Sequence, residues 1–122
     1  GDTPLHYAVK HDNKEIASIL LDSGCRSDIA NDKGQTCLHL AAMGNNMDLV
    51  QLLVKAGFRL GARTINVDGD TPLHYAVKHD NKEIASILLD SGCRSDIAND
   101  KGQTCLHLAA MGNNMDLVQL LV

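Results

Sequence analysis

Residues 1–54 of this chain return, letter for letter, as residues 69–122. The opening Gly1-Asp2-Thr3-Pro4-Leu5-His6-Tyr7-Ala8 reappears as Gly69-Asp70-Thr71-Pro72-Leu73-His74-Tyr75-Ala76, and the match runs unbroken to Val122. An array drifting under selection keeps its interior and scrambles its surface, because exposed substitutions usually change stability by less than about 0.5 kcal/mol. Here both kinds of position match alike, so the copying is recent or deliberate. An offset of 68 residues governs the whole chain.

A second, diverged period lies inside that unit. Gly34-Gln35-Thr36-Cys37-Leu38-His39-Leu40-Ala41 aligns with the opening motif at a spacing of 33, and Ile19-Leu20-Leu21-Asp22-Ser23-Gly24 aligns with Leu52-Leu53-Val54-Lys55-Ala56-Gly57. The next step, Gly34 to Gly69, is 35 residues. A period near 33 that carries Thr-Pro-Leu-His-x-Ala, with Leu-Leu-x-x-Gly at fixed distance, resembles the ankyrin repeat. The resemblance covers the whole chain as one domain, 1–122, in four units: 1–33, 34–68, 69–101 and 102–122. It implies an all-α solenoid of stacked helix-turn-helix units joined by hairpin loops.

The residues themselves support that architecture. Thr3 is a good N-cap and Pro4 suits a first helical turn, where its missing N–H has no partner to lose. Leu5, Ala8 and Val9 form an i, i+3, i+4 stripe. A second helix follows from Lys14, with Ile16, Ile19 and Leu20 on one side and Gly24 just past its end. The pattern predicts helices over 4–11, 14–23, 37–44, 47–56, 72–79, 82–91, 105–112 and 115–122. Asp12 and Asn45 stand where the family usually has Gly, and Asp and Asn best tolerate a left-handed backbone. Helices of about ten residues are too short to persist alone in water. Stacking must hold them, and Ala8, Ala41 and Ala42 let neighbouring helices approach. With the same core residues in every unit, Leu5, Ile16 and Leu20 at one end and Leu106, Leu117 and Leu120 at the other are expected to be incompletely covered. The arm 58–68 is two residues longer than its counterparts, and Phe58, Leu60, Ile65 and Val67 are expected to pack against neighbouring arms, the alternative being a protruding contact finger.

Composition excludes several classes. The net charge is −4, from 11 Lys and Arg against 15 Asp and Glu, which argues against a nucleic-acid surface. The aromatic residues are Tyr7, Tyr75 and Phe58, too few for base-stacking platforms. Apolar residues come in groups of two to four, never the 18 or so that a membrane span needs. The chain opens inside a motif and stops inside a second helix, so it reads as a fragment or an excised tandem. Cys25, Cys37, Cys93 and Cys105 form no C-x-x-C pair. They are expected to be free, partly buried thiols of an intracellular-type protein. No metal site, cofactor or catalytic motif is evident. His6, His39, His74 and His107 recur once per unit, and a catalytic residue is rarely needed four times. In the family this His is structural, its ring bonding near the motif Thr and tying one repeat to the next. His11 and His79 fall at the exposed end of a first helix.

The resemblance further implies a protein-binding scaffold whose partner contacts the hairpin tips and the inner face of the first helices. Carried onto this sequence, those positions are Lys10, His11, Asp32, Lys33, Gln35, Met43, Val67, Asp68, Asp70, Lys78, His79, Asp100, Lys101, Gln103 and Met111. Their mixture of acid, base and methionine suits a polar protein partner with a few apolar contacts. The family also carries a modifiable hairpin Asn four residues after the Gly matched by Gly24. Asp28 and Asp96 stand there instead, with Asn31 and Asn99 three residues later. The duplication supports an alternative: an engineered tandem with a structural role and no native partner. Periodicity also makes the two end faces complementary, so head-to-tail self-association is expected at high concentration.

Overall fold

The computed structural model describes residues 1–27, 29–44, 46–56 and 66–122. Among the described residues eight short helices follow one another: α1 Pro4–Lys10, α2 Lys14–Asp22, α3 Cys37–Met43, α4 Met47–Lys55, α5 Pro72–Lys78, α6 Lys82–Asp90, α7 Cys105–Met111 and α8 Met115–Leu121. All eight start at the predicted residue and stop one residue earlier than predicted. They form four antiparallel pairs, α1 with α2 through α7 with α8, and each pair packs on the next. First helices form one layer (α1, α3, α5, α7) and second helices the other (α2, α4, α6, α8). Among the described residues there is no strand, and no helix is long and apolar enough to cross a membrane.

Local chemistry ends each helix. Asn13, Asn46, Asn81 and Asn114 cap the second helices, each side chain accepting a hydrogen bond from the backbone N–H three residues on. After α1, Asp12 N–H donates to the Val9 carbonyl (3.1 Å) and Asn13 N–H to the Ala8 carbonyl (2.9 Å). Gly24 and Cys25 repeat this pattern on Leu21 and Leu20 after α2, both at 3.0 Å. This paired closure needs a left-handed residue, which Gly24 supplies at φ 91°. Asp12, Asp80 and Asn113 adopt φ 54–56°, as expected where family members carry Gly; Asn45 lies outside the described residues.

The core runs along the seam between the layers. Leu5, Leu38 and Leu73 from first helices meet Leu49, Ile84 and Leu117 from second helices, all fully buried. Each such side chain contributes about 1.5–3 kcal/mol. Ala41 and Ala42 are also fully buried, which lets α3 lie close against α5.

The expectation for the ends needs correction. Ile16 and Leu106 are exposed and Leu20 and Leu120 half-buried, but Leu5 and Leu117 are fully covered. The reason is directional. The Leu5 position faces the following pair, so it is buried in every unit except the last, where it is Leu106. The Ile16 position faces the preceding pair, so Leu49, Ile84 and Leu117 are all buried. Cys25 also departs from its expected partial burial, being exposed while its copy Cys93 is buried. Only Cys93 has a helix pair ahead of it in the stack. Of the long arm, Phe58, Leu60 and Ile65 lie outside the described residues, and Val67 is exposed.

Successive hairpins touch backbone to backbone. Val67 N–H donates to the Lys33 carbonyl (2.9 Å) and Asp100 N–H to the Asp68 carbonyl (3.0 Å). Gly34 makes the first contact possible: a Cβ there would sit 2.9 Å from the Asn66 Cα. Its copy Gly102 shares φ 73° but has nothing within 4 Å. Both G34A and G102A therefore carry a backbone cost of about 1–2 kcal/mol, and only G34A adds a steric cost of about 1–3 kcal/mol. Urea unfolding should show G34A clearly the less stable of two variants with identical flanking sequence.

All four thiols are unbridged. Burial pushes Cys37 and Cys105 up to about 12, with a smaller contribution from nearby negative groups, and Cys93 up to about 11. In native protein at pH 8, a thiol reagent should modify Cys25 alone at a rapid rate, the other three reacting only on unfolding. Peptide mass mapping after a brief exposure checks this.

Candidate functional site

The four Thr-x-x-His motifs position everything on the hairpin side. In α1 the Thr3 hydroxyl accepts from His6 N–H (3.2 Å), and His6 Nδ1 accepts from the Thr3 backbone N–H (3.0 Å). This is a capping box with imidazole at the place usually held by Glu or Gln. Because Nδ1 accepts, Nε2 carries the proton and points outward to the next unit. His6 Nε2 donates to the Gln35 carbonyl (2.8 Å), His39 to the Asp70 carbonyl (2.9 Å) and His74 to the Gln103 carbonyl (2.9 Å). One ring thus ends a helix and ties two units together, the structural role expected for it. His107 makes the same internal cap, but its ring is exposed.

Each hairpin turn is organised by an asparagine. Asn31 Oδ1 accepts from Lys33 and Gln35 N–H, Asn66 Oδ1 from Asp68 and Asp70, and Asn99 Oδ1 from Lys101 and Gln103, all at 2.9–3.0 Å. The amide nitrogen of Asn31 then donates to the Asp2 carboxylate (2.9 Å) and that of Asn99 to Asp70 (3.0 Å). These asparagines were not among the expected site residues. The recurrence of Asn three residues before each hairpin Gly (Asn31, Asn66, Asn99) was the available signal.

The same two carboxylates anchor lysines from the first helices. Lys10 Nζ pairs with Asp2, and Lys78 Nζ with Asp70 at 2.6 Å. Burial pushes the Asp70 carboxyl up, but the Lys78 ammonium and the Asn99 amide together hold it below the ordinary value. Lys10 and Asn31 hold Asp2 low in the same way. Two equivalent notches result, 68 residues apart. One, ≈ 180 Å³, is lined by Asp2, Lys10, Asn31, Asp32 and Lys33; the other, ≈ 150 Å³, by Asp68, Asp70, Lys78, Asn99, Asp100 and Lys101.

The structure gathers most of the expected contact residues along this flank. Asp32, Lys33, Val67, Asp68, Asp100 and Lys101 are exposed at the tips. Lys10, His11, Met43, Lys78, His79 and Met111 are exposed at first-helix ends. Gln35 and Gln103 are half-buried, Gln35 donating to the Tyr75 hydroxyl at 3.1 Å. Asp70 is the exception. It is 1% exposed and fully committed to Lys78 and Asn99, so it supports the surface and does not present to a partner. At the family's modification position, Asp28 lies outside the described residues, while Asp96 is exposed and paired with Arg94 at 2.6 Å. The Asn99 amide is buried and bonded.

Burial holds His39 well below the ordinary histidine value, down to about 4, despite the opposing pull of the Asp70 carbonyl. Between pH 6.5 and 4 the unfolded chain binds a proton at this residue that the folded chain refuses. The stability contributed by neutral His39 is therefore complete above pH 6.5 and declines as pH falls toward 4, by about 3 kcal/mol at most. His39→Gln keeps an N3 capping side chain and removes the titration. Urea midpoints at pH 7.5, 6 and 4.5 should fall less steeply with acidification in His39→Gln than in the parent chain.

The family described as "Ankyrin repeats (3 copies)" matches residues 1–64 and again residues 59–122. Notch-regulated ankyrin repeat-containing protein A of Danio rerio is 39% identical over 64 residues, covering 52% of this chain and 57% of the relative. Neurogenic locus notch homolog protein 1 of Homo sapiens is 30% identical over 123 residues, covering 100% of this chain and 5% of the relative. E3 ubiquitin-protein ligase KEG of Arabidopsis thaliana is 36% identical over 100 residues, 81% of this chain and 6% of the relative. The chain thus spans between 5% and 57% of the length of these relatives. The repeated motif, its capping chemistry, the stacked helix pairs and these likenesses agree that the chain belongs to the ankyrin-repeat family.

Proposed function

We propose that this chain is a protein-binding scaffold that engages its partner through the hairpin tips and the adjoining ends of the first helices. Ankyrin repeats generally mediate protein–protein interaction. The observation that carries the finer reading is the pair of equivalent notches: a carboxylate paired with a first-helix lysine, and a tip Asp-Lys pair beside it, recur at a 68-residue offset. The backbone there is fixed by the asparagine turns, so a partner meets ordered charges, and little ordering entropy opposes binding. Alternating acid and base with Met43 and Met111 nearby favours a polar protein partner over nucleic acid or a membrane surface. The motif histidines are committed to capping, which leaves the reading without a catalytic residue.

A second reading rests on the matched surface positions: an engineered tandem of structural role, without a native partner. Charge reversal separates the two. Asp32→Lys with Lys33→Glu, and Asp100→Lys with Lys101→Glu, alter both notches while leaving net charge and buried groups alone. Under the scaffold reading, affinity for a captured partner falls at least about tenfold, ~1.4 kcal/mol. Reversal of Lys14, Glu15, Lys82 and Glu83 on the second helices leaves it unchanged. Equal loss from both sets, measured by surface-immobilised binding with helical content verified, sinks the assignment of this face. Absence of any tip-dependent partner favours the structural tandem.

A further inference from the structure

Each hairpin turn holds two residues between its organising asparagine and its glycine, and these residues change in kind along the stack. The turns are Asn31-Asp32-Lys33-Gly34, Asn66-Val67-Asp68-Gly69 and Asn99-Asp100-Lys101-Gly102. All six intervening residues are exposed, Val67 at 63%. The first positions run acid, apolar, acid (Asp32, Val67, Asp100), and the second run base, acid, base (Lys33, Asp68, Lys101). The Asp32 carboxylate also touches the Gly1 amino group at 2.9 Å, with 90% of the side chain exposed.

Backbone contacts fix the spacing of these two rows. Each turn closes with its Gly N–H on its Asn carbonyl at 2.9–3.0 Å, which keeps those two Cα atoms within about 7 Å. Gly34 then lies directly against Asn66, and Gly69 against Asn99: an added Cβ would sit 2.9 Å and 3.1 Å from the respective Asn Cα. The bonds from Val67 to Lys33 and from Asp100 to Asp68 hold each step in place. One turn plus one contact gives a repeat of about 10 Å, the ordinary separation of packed helices.

We infer that this row of tips binds an extended partner segment in the polyproline II conformation, presenting a basic, an apolar and a basic residue at every third position. The inference rests on the scaffold reading above and names the partner's chemistry. A polyproline II chain has three residues per turn and rises about 3.1 Å per residue, so every third side chain returns to one face after about 9.3 Å. That period follows the tips without drift. In a β-strand, residues three apart point to opposite faces. An α-helix covers about 10.5 Å in seven residues, but it drifts about 20° per heptad, which carries the third contact about 40° off the row. The two basic side chains meet Asp32 and Asp100, and the apolar one covers Val67. Lys33 and Lys101 in the second row repel a base placed out of register, so the charges select a position as well as a sign. A preformed polyproline II chain on a fixed backbone also loses little freedom in binding.

The test titrates the isotope-labelled 122-residue chain with the synthetic peptide Arg-Pro-Pro-Leu-Pro-Pro-Arg and follows amide chemical shifts by NMR. Saturable shifts should centre on residues 32–34, 66–69 and 100–102. Asp32→Ser with Asp100→Ser, and separately Val67→Ser, should each weaken binding by about threefold to tenfold with helical content unchanged. The peptides Glu-Pro-Pro-Leu-Pro-Pro-Glu and Arg-Pro-Leu-Pro-Pro-Pro-Arg, altered in sign and in spacing, should bind at least about fivefold more weakly. Absence of tip shifts at millimolar peptide overturns the inference. So does equal binding of either altered peptide, or tighter binding of a helical peptide with Arg, Leu and Arg seven residues apart. Partner capture that depends on the tips, while this peptide leaves them unmoved, rejects this inference and retains the scaffold reading.

Discussion

Everything in this solenoid depends on a neutral imidazole held between two units. Its Nδ1 accepts from the backbone N–H of the capping Thr, which closes the start of a first helix. Its Nε2–H reaches a carbonyl in the following hairpin, which sets the distance and direction of the next unit. No aliphatic residue can do both, and a protonated ring would present a donor to a donor at Nδ1. Helix initiation and inter-unit geometry are therefore one event. Helices of seven to nine residues, too short to persist alone, become stable because their caps are also their joints.

The hairpin side follows from that joint. With the receiving carbonyl fixed, the asparagine turn arranges its own backbone, and the turn's amide nitrogen reaches back to the carboxylate that precedes the first helix of the pair before it. That carboxylate in turn anchors a lysine two helical turns away. Interior order is thereby carried outward to the rim in three steps, from ring to turn to ion pair. The outer residues of the tips stay free to vary in chemistry while their backbone positions stay constant.

The fold was legible in the residues because its determinants are local and recur. Thr-Pro starts, Gly stops and left-handed Asp residues each impose a backbone geometry on their own neighbours, so the helices began where those residues stand. Burial at the ends was less legible. Leu5 and Ile16 look equivalent as apolar stripe residues, yet one faces forward along the stack and the other backward, a distinction that no window of sequence contains. Asp70 shows the same limit at the rim. An acidic residue beside a hairpin reads as solvated, and only the fold brings Lys78 and Asn99 onto its two oxygens. Cys25 and Cys93 make the point without any change of sequence, being the same residue in the same local context with opposite exposure.

Identical segments in unequal positions have a thermodynamic consequence. The inner pairs, α3 with α4 and α5 with α6, are flanked on both sides, while the outer pairs are flanked on one. In a one-dimensional array, free energy is a sum over units and the junctions between them. A gradient of local opening therefore rises from the middle toward each end, although residues 1–54 and 69–122 are chemically the same. Within residues 1–122, position alone, with no help from composition, gives the inner pairs two stabilising junctions and the outer pairs one.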